Sequence, residues 1–169
     1  MNKAYLLTGS NLGDRKVQLV KAAGLISRNC GSVIKASLFY ETAAWGKQDQ
    51  PAFLNQALEI ETNLNARQLI RRILKTEKSM GRIRKEKYGP RIIDIDILFF
   101  NDEIHDYPFL VLPHPELQNR RFALTPLAEI APDKIHPILK KTISQLLNEC
   151  KDDLAVLPLA LNTNQGMNE

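Results

Sequence analysis

The segment from Ile92 to Phe100 restricts the fold of this chain most strongly, because it is apolar at every position except Asp94 and Asp96. An apolar run of this length is typical of a buried β-strand. Side chains alternate between the two faces of a strand, so both aspartates share one face while the intervening isoleucines point into the core. The fold must therefore bury one face of this strand and keep two carboxylates together on the other.

Other segments carry the periodicity of strands or helices. Short apolar runs indicate strands, and apolar residues spaced by three or four positions indicate helices. A capping box, Asn65 with Gln68, marks the start of the second helix. The prediction is strands at 4–8, 33–40, 53–62 and 92–100, helices at about 14–28, 65–79 and 139–150, and short helical pieces near 116–131.

The order strand, helix, strand, strand, helix, strand is that of the ferredoxin-like fold. We therefore predict an α+β protein with a βαββαβ core, an antiparallel sheet and helices packed on one face. The chain has 169 residues and no linker or break in composition. It is expected to form a single domain over residues 1–158, followed by a loose C-terminal tail at 159–169.

Positive charge is concentrated in the second predicted helix and the loop that follows it. Residues 65–91 contain ten Lys or Arg and two Glu, a net charge of +8 in a chain whose total is +4. Charge focused in this way attracts an anion, either nucleic acid or a small polyphosphate. A solvated helix face followed by a charged loop would give the same count.

Asp94 and Asp96 would lie roughly 6.5–7 Å apart along their strand. Neighbouring carboxylates repel unless a cation lies between them, and Mg²⁺ takes one or two carboxylates together with phosphate oxygens and water. Arginines just upstream, Arg82, Arg84 and Arg91, could neutralise the same phosphates from the other side. The combination favours a magnesium–polyphosphate site, whereas two exposed acids on the wet face of a sheet would give the same D-x-D pattern.

Further polar residues fit this hypothesis. Glu77 falls on the apolar stripe of its helix and needs a charged partner. Phe53 and Asn55 share a strand face and suit a flat heterocycle, the ring by stacking and the amide by hydrogen bonding. His114, in a Pro-His-Pro turn before Arg120, is a candidate phosphate donor, or a structural hydrogen-bonding residue.

The turn Gly9–Asp14 lies between a strand and a helix, as phosphate-binding loops do. It lacks the spacing and the lysine of a Walker loop, and it is not a G-x-G-x-x-G motif. We therefore expect a tight strand-to-helix turn in which Asn11 or Asp14 caps the helix.

Cys30 and Cys150 form no metal or redox motif, which favours a reducing cytoplasm. No apolar run approaches the ~20 residues that span a membrane, and the apolar part of the N-terminal segment is too short for a signal peptide. We therefore expect a cytoplasmic protein without a membrane partner. A monomer is the expected assembly.

The same segments, in the same order, resemble the hydroxymethyl-dihydropterin pyrophosphokinases. The resemblance covers about residues 4–137, and its most specific parts are D-Q-P-x-F-L-N at 49–55 and G-P-R-x-x-D-x-D at 89–96. The chain departs from the family pattern at Ala43 and Ala44, where prolines are frequent, and at Tyr88, where tryptophan is frequent.

The resemblance implies an enzyme of folate biosynthesis, a 2-amino-4-hydroxy-6-hydroxymethyldihydropteridine diphosphokinase. It would transfer pyrophosphate from MgATP to the hydroxymethyl group of 6-hydroxymethyl-7,8-dihydropterin and release AMP. The implied substrates are ATP and the pterin alcohol, with no nucleic acid. The implied metal is Mg²⁺, as two ions held by Asp94 and Asp96.

The resemblance also assigns roles to individual positions of this sequence. The implied catalytic residues are Arg82, Arg91, Asp94 and Asp96. The implied ATP contacts are Glu77, Arg82, Arg84, Arg91, Ile97, His114 and Arg120. The implied pterin slot consists of Thr42, Ala43, Trp45, Phe53, Asn55 and Phe122 and is closed by Tyr88.

Three other functions compete with this one at the level of the sequence. A nucleic-acid-binding module fits the element order and the basic segment, although no RNP-like motif of stacked aromatics is present. A nucleotidyltransferase also holds two metals on paired acids, but it would release pyrophosphate rather than AMP. A structural protein with an incidental ion cluster would not bind MgATP tightly.

Overall fold

In the computed structural model of this chain, residues 1–43, 50–83 and 90–159 are described. A 3-10 turn at Leu117–Asn119 precedes the third helix. In chain order the strands and helices are β1 (Asn2–Ser10), α1 (Arg15–Asn29), β2 (Ser32–Ala36), β3 (Tyr40–Thr42), β4 (Phe53–Thr62), α2 (Ala66–Ser79), β5 (Asp94–Phe100), β6 (His105–Tyr107), β7 (Leu110–Leu112), α3 (Arg121–Ile130), α4 (Ile143–Glu149) and β8 (Val156–Pro158).

The main sheet is antiparallel, in the order β5-β1-β4-β3-β8, and β2 also pairs with β4. β6 and β7 form a separate two-stranded hairpin. Within this sheet β5 is an edge strand and β1 lies between β5 and β4. Gly9, near the end of β1, is therefore opposite Asn55 of β4 on one side and Asp94 of β5 on the other.

The predicted α+β fold with a βαββαβ core is confirmed, since the two helices of that core, α1 and α2, pack on the same face of the sheet. Their contribution to the core includes the fully buried Leu19, Ile26, Leu69 and Ile73. The later helices α3 and α4 add a layer on the other face, which the element order did not predict. They bury Leu124, Leu127, Ile143 and Leu146 there.

The predicted start of α2 is confirmed. The Asn65 side chain accepts the Gln68 N–H at 2.9 Å, and the Gln68 side chain accepts the Asn65 N–H at 2.8 Å. The prediction of one strand over 33–40 is wrong, because β2 ends at Ala36 and β3 begins at Tyr40. At Ser37 the hydroxyl oxygen accepts the Ala57 N–H at 2.9 Å, which interrupts the regular backbone ladder.

The chain end adds a strand to the sheet, because β8 pairs with β3 and the Leu159 N–H donates to the Phe39 carbonyl at 2.8 Å. Residues 160–169 lie outside the described residues, so the extent of the tail stays a prediction. Across the described part of the chain, no helix combines the length and apolarity needed to cross a bilayer.

Gly31 provides a test of the packing between the end of α1 and β4. A Cβ at this position would lie 2.3 Å from the Glu61 carbonyl oxygen and 2.8 Å from the Thr62 Cβ. Because backbone atoms cannot move away cheaply, we expect Gly31→Ala to lower the free energy of unfolding by about 1–3 kcal/mol in urea titration.

Gly24→Ala is the matched control, since a Cβ on this α1 residue meets nothing within 4 Å. Alanine should stabilise the helix there by about 0.5–1 kcal/mol. Equal stabilities of the two variants would show that the close approach at Gly31 does not exist.

Candidate active site

A cleft lies on the sheet face that carries α3, where β1 ends and where β4 and β5 begin. Several sequence-distant candidates, among them Asn55, Asp94 and Phe122, meet in it. The complete lining is Leu7, Gly9, Thr42, Ala43, Phe53, Asn55, Arg91, Asp94, Asp96, Arg120 and Phe122.

Gly9 makes room for the Asn55 side chain in this cleft because it has no side chain of its own. Its cross-strand neighbours are Asn55 and Asp94, and strand spacing places these about 10 Å apart across it. A Cβ on Gly9 would lie 2.4 Å from the Asn55 Oδ1 and 3.7 Å from the Phe53 ring. Only a residue without a side chain therefore leaves room for the Asn55 amide, which lines the cleft together with Asp94.

Among the described residues, Thr42 Oγ1 and Asn55 Nδ2 are buried at this cleft without a hydrogen-bond partner, in residues that are each 4% exposed. A buried polar atom without a partner costs about 1–3 kcal/mol. A ligand with a complementary polar edge would recover that cost, which matches the heterocycle role predicted for Asn55.

The aromatic rings of the cleft each lie beneath a guanidinium group. The Arg91 guanidinium is 5.6 Å from the centre of the Phe53 ring, and that of Arg120 is 5.6 Å from the centre of the Phe122 ring. Such contacts hold an arginine in place against a hydrophobic wall. Each ring therefore brings a positive charge to the same cleft as the two aspartates.

Asp94 and Asp96 share one face of β5, as the alternation predicted, but that face is not wet. Both side chains are half-buried, and the Asp94 side chain is 23% exposed. Arg82 Nη1 donates to Asp94 Oδ1 at 2.6 Å, and Arg91 Nη1 donates to Asp94 Oδ2 at 3.3 Å. Burial and the negative charge of Asp94 raise the pKa of Asp96 to about 8. The alternative of two exposed acids on the wet face of a sheet is therefore wrong, because α3 and its flanking residues cover this face.

Glu77 has the charged partner that its position on the helix required. It is 3% exposed, and its Oε2 accepts from Arg82 Nη1 at 2.5 Å and from the Ile95 N–H at 2.8 Å. Burial raises the pKa of Glu77, while both partners favour its charged form. Because β5 is an edge strand, this contact attaches α2 to a backbone group that faces away from the sheet.

The side chain of Ile97 lies in the core with α1 and α2 and is 4% exposed. It therefore faces away from Asp96. Backbone groups of alternate residues in an antiparallel strand point to the same side, so the Ile97 backbone faces the outer edge of β5, as the Ile95 N–H does. Ile97 could therefore contact a nucleotide only through its backbone.

His114 lies at the same outer edge, where its N–H donates to the Leu98 carbonyl at 3.0 Å. Its Nδ1 accepts the Glu116 N–H at 3.1 Å, so the neutral ring carries its proton on Nε2. Burial and the positive charge of Arg120 lower the pKa of His114 to about 4. At neutral pH this side chain is an uncharged hydrogen-bond donor.

Three predicted site residues, Trp45, Arg84 and Tyr88, lie outside the described residues, and their roles stay predictions. For the turn after β1, the sequence left two candidate caps, and the structure selects Asp14, whose Oδ1 accepts the Val17 N–H at 3.2 Å. The Asn11 side chain instead contacts Gln50, 39 positions away. Local sequence carries no signal for a partner at that distance.

A metal site here would have two protein carboxylates. Within residues 1–43, 50–83 and 90–159, no three His, Cys, Asp or Glu side chains gather as a metal-binding group. Asp94 and Asp96 supply hard oxygen donors. A divalent cation between them would offset the repulsion between the two carboxylates. The remaining ligands of Mg²⁺ at such a pair would be phosphate oxygens and water.

Comparison with known proteins gives one consistent result. Residues 5–132 match the family model described as 7,8-dihydro-6-hydroxymethylpterin-pyrophosphokinase (HPPK). A 2-amino-4-hydroxy-6-hydroxymethyldihydropteridine pyrophosphokinase of Aquifex aeolicus is 42% identical over 88% of this chain and 92% of the relative. The protein of the same name from Bacillus subtilis is 44% identical over 76% of this chain and 78% of the relative.

Solved structures share the fold. A Plasmodium falciparum HPPK-DHPS protein superposes with a TM-score of 0.70 at 20% identity. The match covers 88% of this chain, and this chain spans 43% of that longer protein. The likeness supports the architecture described above.

The raised pKa of Asp96 predicts a pH-dependent effect on stability in the absence of divalent metal. An aspartate has a pKa of about 3.9 when unfolded, whereas that of Asp96 is about 8 when folded. Its contribution to stability is therefore complete below pH ~4 and is lost as the pH rises towards ~8. We expect Asp96→Asn to raise Tm in chelator-treated protein, with a gain that grows between pH ~5 and ~8.

Asp102→Asn is the control for this measurement, because the Asp102 side chain is 80% exposed and pairs with Lys134. The Lys134 hydrogen bond lowers the pKa of Asp102, so its removal should give no gain in Tm at either pH. A constant difference between Asp96→Asn and the unmodified protein across this range would disprove the buried-acid account.

Proposed function

Because this chain belongs to the 7,8-dihydro-6-hydroxymethylpterin-pyrophosphokinase family, we propose that the cleft beside Gly9 is its active site. The protein transfers pyrophosphate from ATP to the hydroxymethyl group of 6-hydroxymethyl-7,8-dihydropterin and releases AMP, a step of folate biosynthesis. The pyrophosphokinase activity predicted from the sequence is confirmed, and it excludes the nucleotidyltransferase and structural-protein alternatives.

One observation carries the assignment of the site. The described residues predicted to bind a heterocycle, both predicted metal ligands and two predicted phosphate contacts, Arg91 and Arg120, line a single cleft, although they come from segments far apart in the sequence. A pyrophosphoryl transfer requires this closeness, because the acceptor hydroxyl must lie within reach of the phosphorus that it attacks.

The pterin ring would lie over Gly9, between Asn55 and the aspartates. The Asn55 amide and the Thr42 hydroxyl hold buried polar atoms that suit the donors and acceptors of a pterin edge. Phe53 and Phe122 offer aromatic faces for stacking. The contributions of Ala43, Trp45 and Tyr88 belong to this proposal as sequence-based predictions.

ATP would lie along the outer edge of β5, where the nucleotide contacts assigned by the family resemblance are found. The Ile97 backbone faces that edge, and Glu77 and His114 are hydrogen-bonded to the backbone of the same strand. Neutral His114 would donate its Nε2–H to a phosphate oxygen. Arg82, Arg91 and Arg120, with Arg84 from the sequence, would neutralise phosphate charge.

Asp94 and Asp96 are proposed to hold two Mg²⁺ ions. The half-buried pair offers the oxygen donors that magnesium prefers, and a divalent cation would stabilise the charged form of Asp96, which burial and the charge of Asp94 disfavour. When bound, Mg²⁺ would supply charge neutralisation at the phosphate oxygens of ATP.

The residues of the chain then act by position and charge. The pterin slot aims the hydroxymethyl oxygen at the β-phosphorus, so that a bond between them forms while the bond from that phosphorus to the AMP oxygen breaks. Arg91, which contacts both Phe53 and Asp94, places a positive charge between the acceptor and the phosphates. Little covalent chemistry is asked of the protein, as is usual in phosphoryl-type transfer.

We also propose a cytoplasmic monomer. Both cysteines, Cys30 and Cys150, are free thiols, which suits a reducing compartment. The monomer stays a prediction from the sequence.

Replacement of one aspartate tests the proposed site. Asp94→Asn keeps the shape of the side chain and removes its charge, so we expect AMP formation from ATP, Mg²⁺ and the pterin alcohol to fall at least ~100-fold. Asp102→Asn, at an exposed carboxylate, should retain full activity. Near-normal turnover in Asp94→Asn would count against the metal-binding role, and AMP formation that does not require the pterin alcohol would count against the acceptor.

A second prediction concerns the pterin side. Gly9→Ala would force the Asn55 amide out of place, since the new Cβ would lie 2.4 Å from Asn55 Oδ1. We expect KM for the pterin alcohol to rise about tenfold, the equivalent of one lost hydrogen bond, while KM for ATP stays within about twofold. Gly24→Ala, in α1, is the control for a generic effect of added alanine. Equal changes in both KM values would contradict the placement of the ring over Gly9.

A further inference from the structure

We infer that Asn11 is a positioning residue of the active site, which sets the place of the Arg91 guanidinium by holding the Arg91 backbone. The inference rests on the role proposed above for Arg91. Asn11 itself does not line the cleft; its effect would pass through the two chain segments that it joins.

The first of these contacts fixes the peptide backbone at Arg91. Asn11 is 2% exposed. Its side-chain Oδ1 accepts the Arg91 N–H at 2.9 Å, and its backbone N–H donates to the Arg91 carbonyl at 3.2 Å. Two hydrogen bonds from one residue, both to the backbone of Arg91, leave little freedom for the start of that side chain.

The other side of the same amide holds the segment that leads into β4. Asn11 Nδ2 donates to the Pro51 carbonyl at 3.0 Å and to Gln50 Oε1 at 2.9 Å. Pro51 precedes Phe53 by two residues. A single amide therefore sets the separation between the backbone of Arg91 and the strand that carries the Phe53 ring.

The Arg91 side chain spans the region that this separation defines. Its guanidinium is 5.6 Å from the centre of the Phe53 ring, and its Nη1 is 3.3 Å from Asp94 Oδ2. If the two backbone segments moved apart, the guanidinium could not keep both contacts. Asn11 would thus maintain the alignment between the aromatic wall of the pterin slot and the acid pair.

The chemistry of asparagine suits this position. The site needs two side-chain N–H donors and one acceptor on a short side chain. An asparagine amide has these groups. Aspartate would keep the acceptor for Arg91 but would turn an oxygen towards the Pro51 carbonyl and Gln50 Oε1. The helix cap, which Asn11 could otherwise supply, is provided by Asp14.

A double-mutant cycle on kcat tests whether Asn11 acts through Arg91. We expect Asn11→Ala to lower kcat by roughly 10- to 100-fold, the scale of a displacement of about 1 Å in a reacting group. In an Arg91→Ala background the same change should alter kcat by less than about twofold, because the guanidinium that it positions is gone. Asp14→Ala should lower Tm and leave kcat unchanged, since it removes a helix cap in the same turn.

Two results would overturn the inference in distinguishable ways. If Arg91→Ala lowers kcat and the loss from Asn11→Ala is the same in both backgrounds, only the link through Arg91 fails. If Arg91→Ala leaves kcat unchanged, the proposed role of Arg91 fails and the inference fails with it. Should Asn11→Ala not fold, Asn11→Asp enters the same cycle and is expected to show the same disappearance of its effect without Arg91.

Discussion

Electrostatic compensation at the edge of β5 is the constraint on which the site depends. Asp94, Asp96 and Glu77 place carboxylates close together with little solvent, and burial of a charged group without a partner is costly. Arg82 bridges two of them, with its Nη1 at 2.5 Å from Glu77 Oε2 and 2.6 Å from Asp94 Oδ1. Because Glu77 also accepts the Ile95 N–H, this one cluster attaches α2 and the start of the following loop to the strand that carries the aspartates.

The same positive groups serve the fold and the proposed reaction. Arg82 and Arg91 balance Asp94 here, and both are proposed to face the phosphates of ATP. Arg120 lies over Phe122 and helps to keep His114 neutral at physiological pH. A site that neutralises its own acids with guanidinium groups already has positive charge in place for a polyanionic substrate.

Much of the fold and of the site could be predicted from the sequence where the physics is local. Alternation along 92–100 gave the shared face of Asp94 and Asp96, and the capping box at Asn65 gave the start of α2. The break in the strand predicted at 33–40 was missed because its cause, a bond from Ala57 to the Ser37 hydroxyl, joins residues 20 positions apart. Helical segments near 116–131 and at 139–150 were predicted, but their packing as α3 and α4 on the second face of the sheet was not, because it depends on contacts with strands far away in the sequence.

The sequence by itself determined the order of the elements, the residues that share each strand face and the chemical groups available for phosphate and a heterocycle. These follow from backbone geometry and side-chain chemistry, which act over a few neighbouring residues. Only the tertiary structure decided that Asp96 is half-buried, that Gly9 makes room for the Asn55 amide and that Asn11 joins Pro51 to Arg91. Each of these depends on loss of solvent or on contact between residues 40 or more positions apart, and neither is encoded in a local pattern.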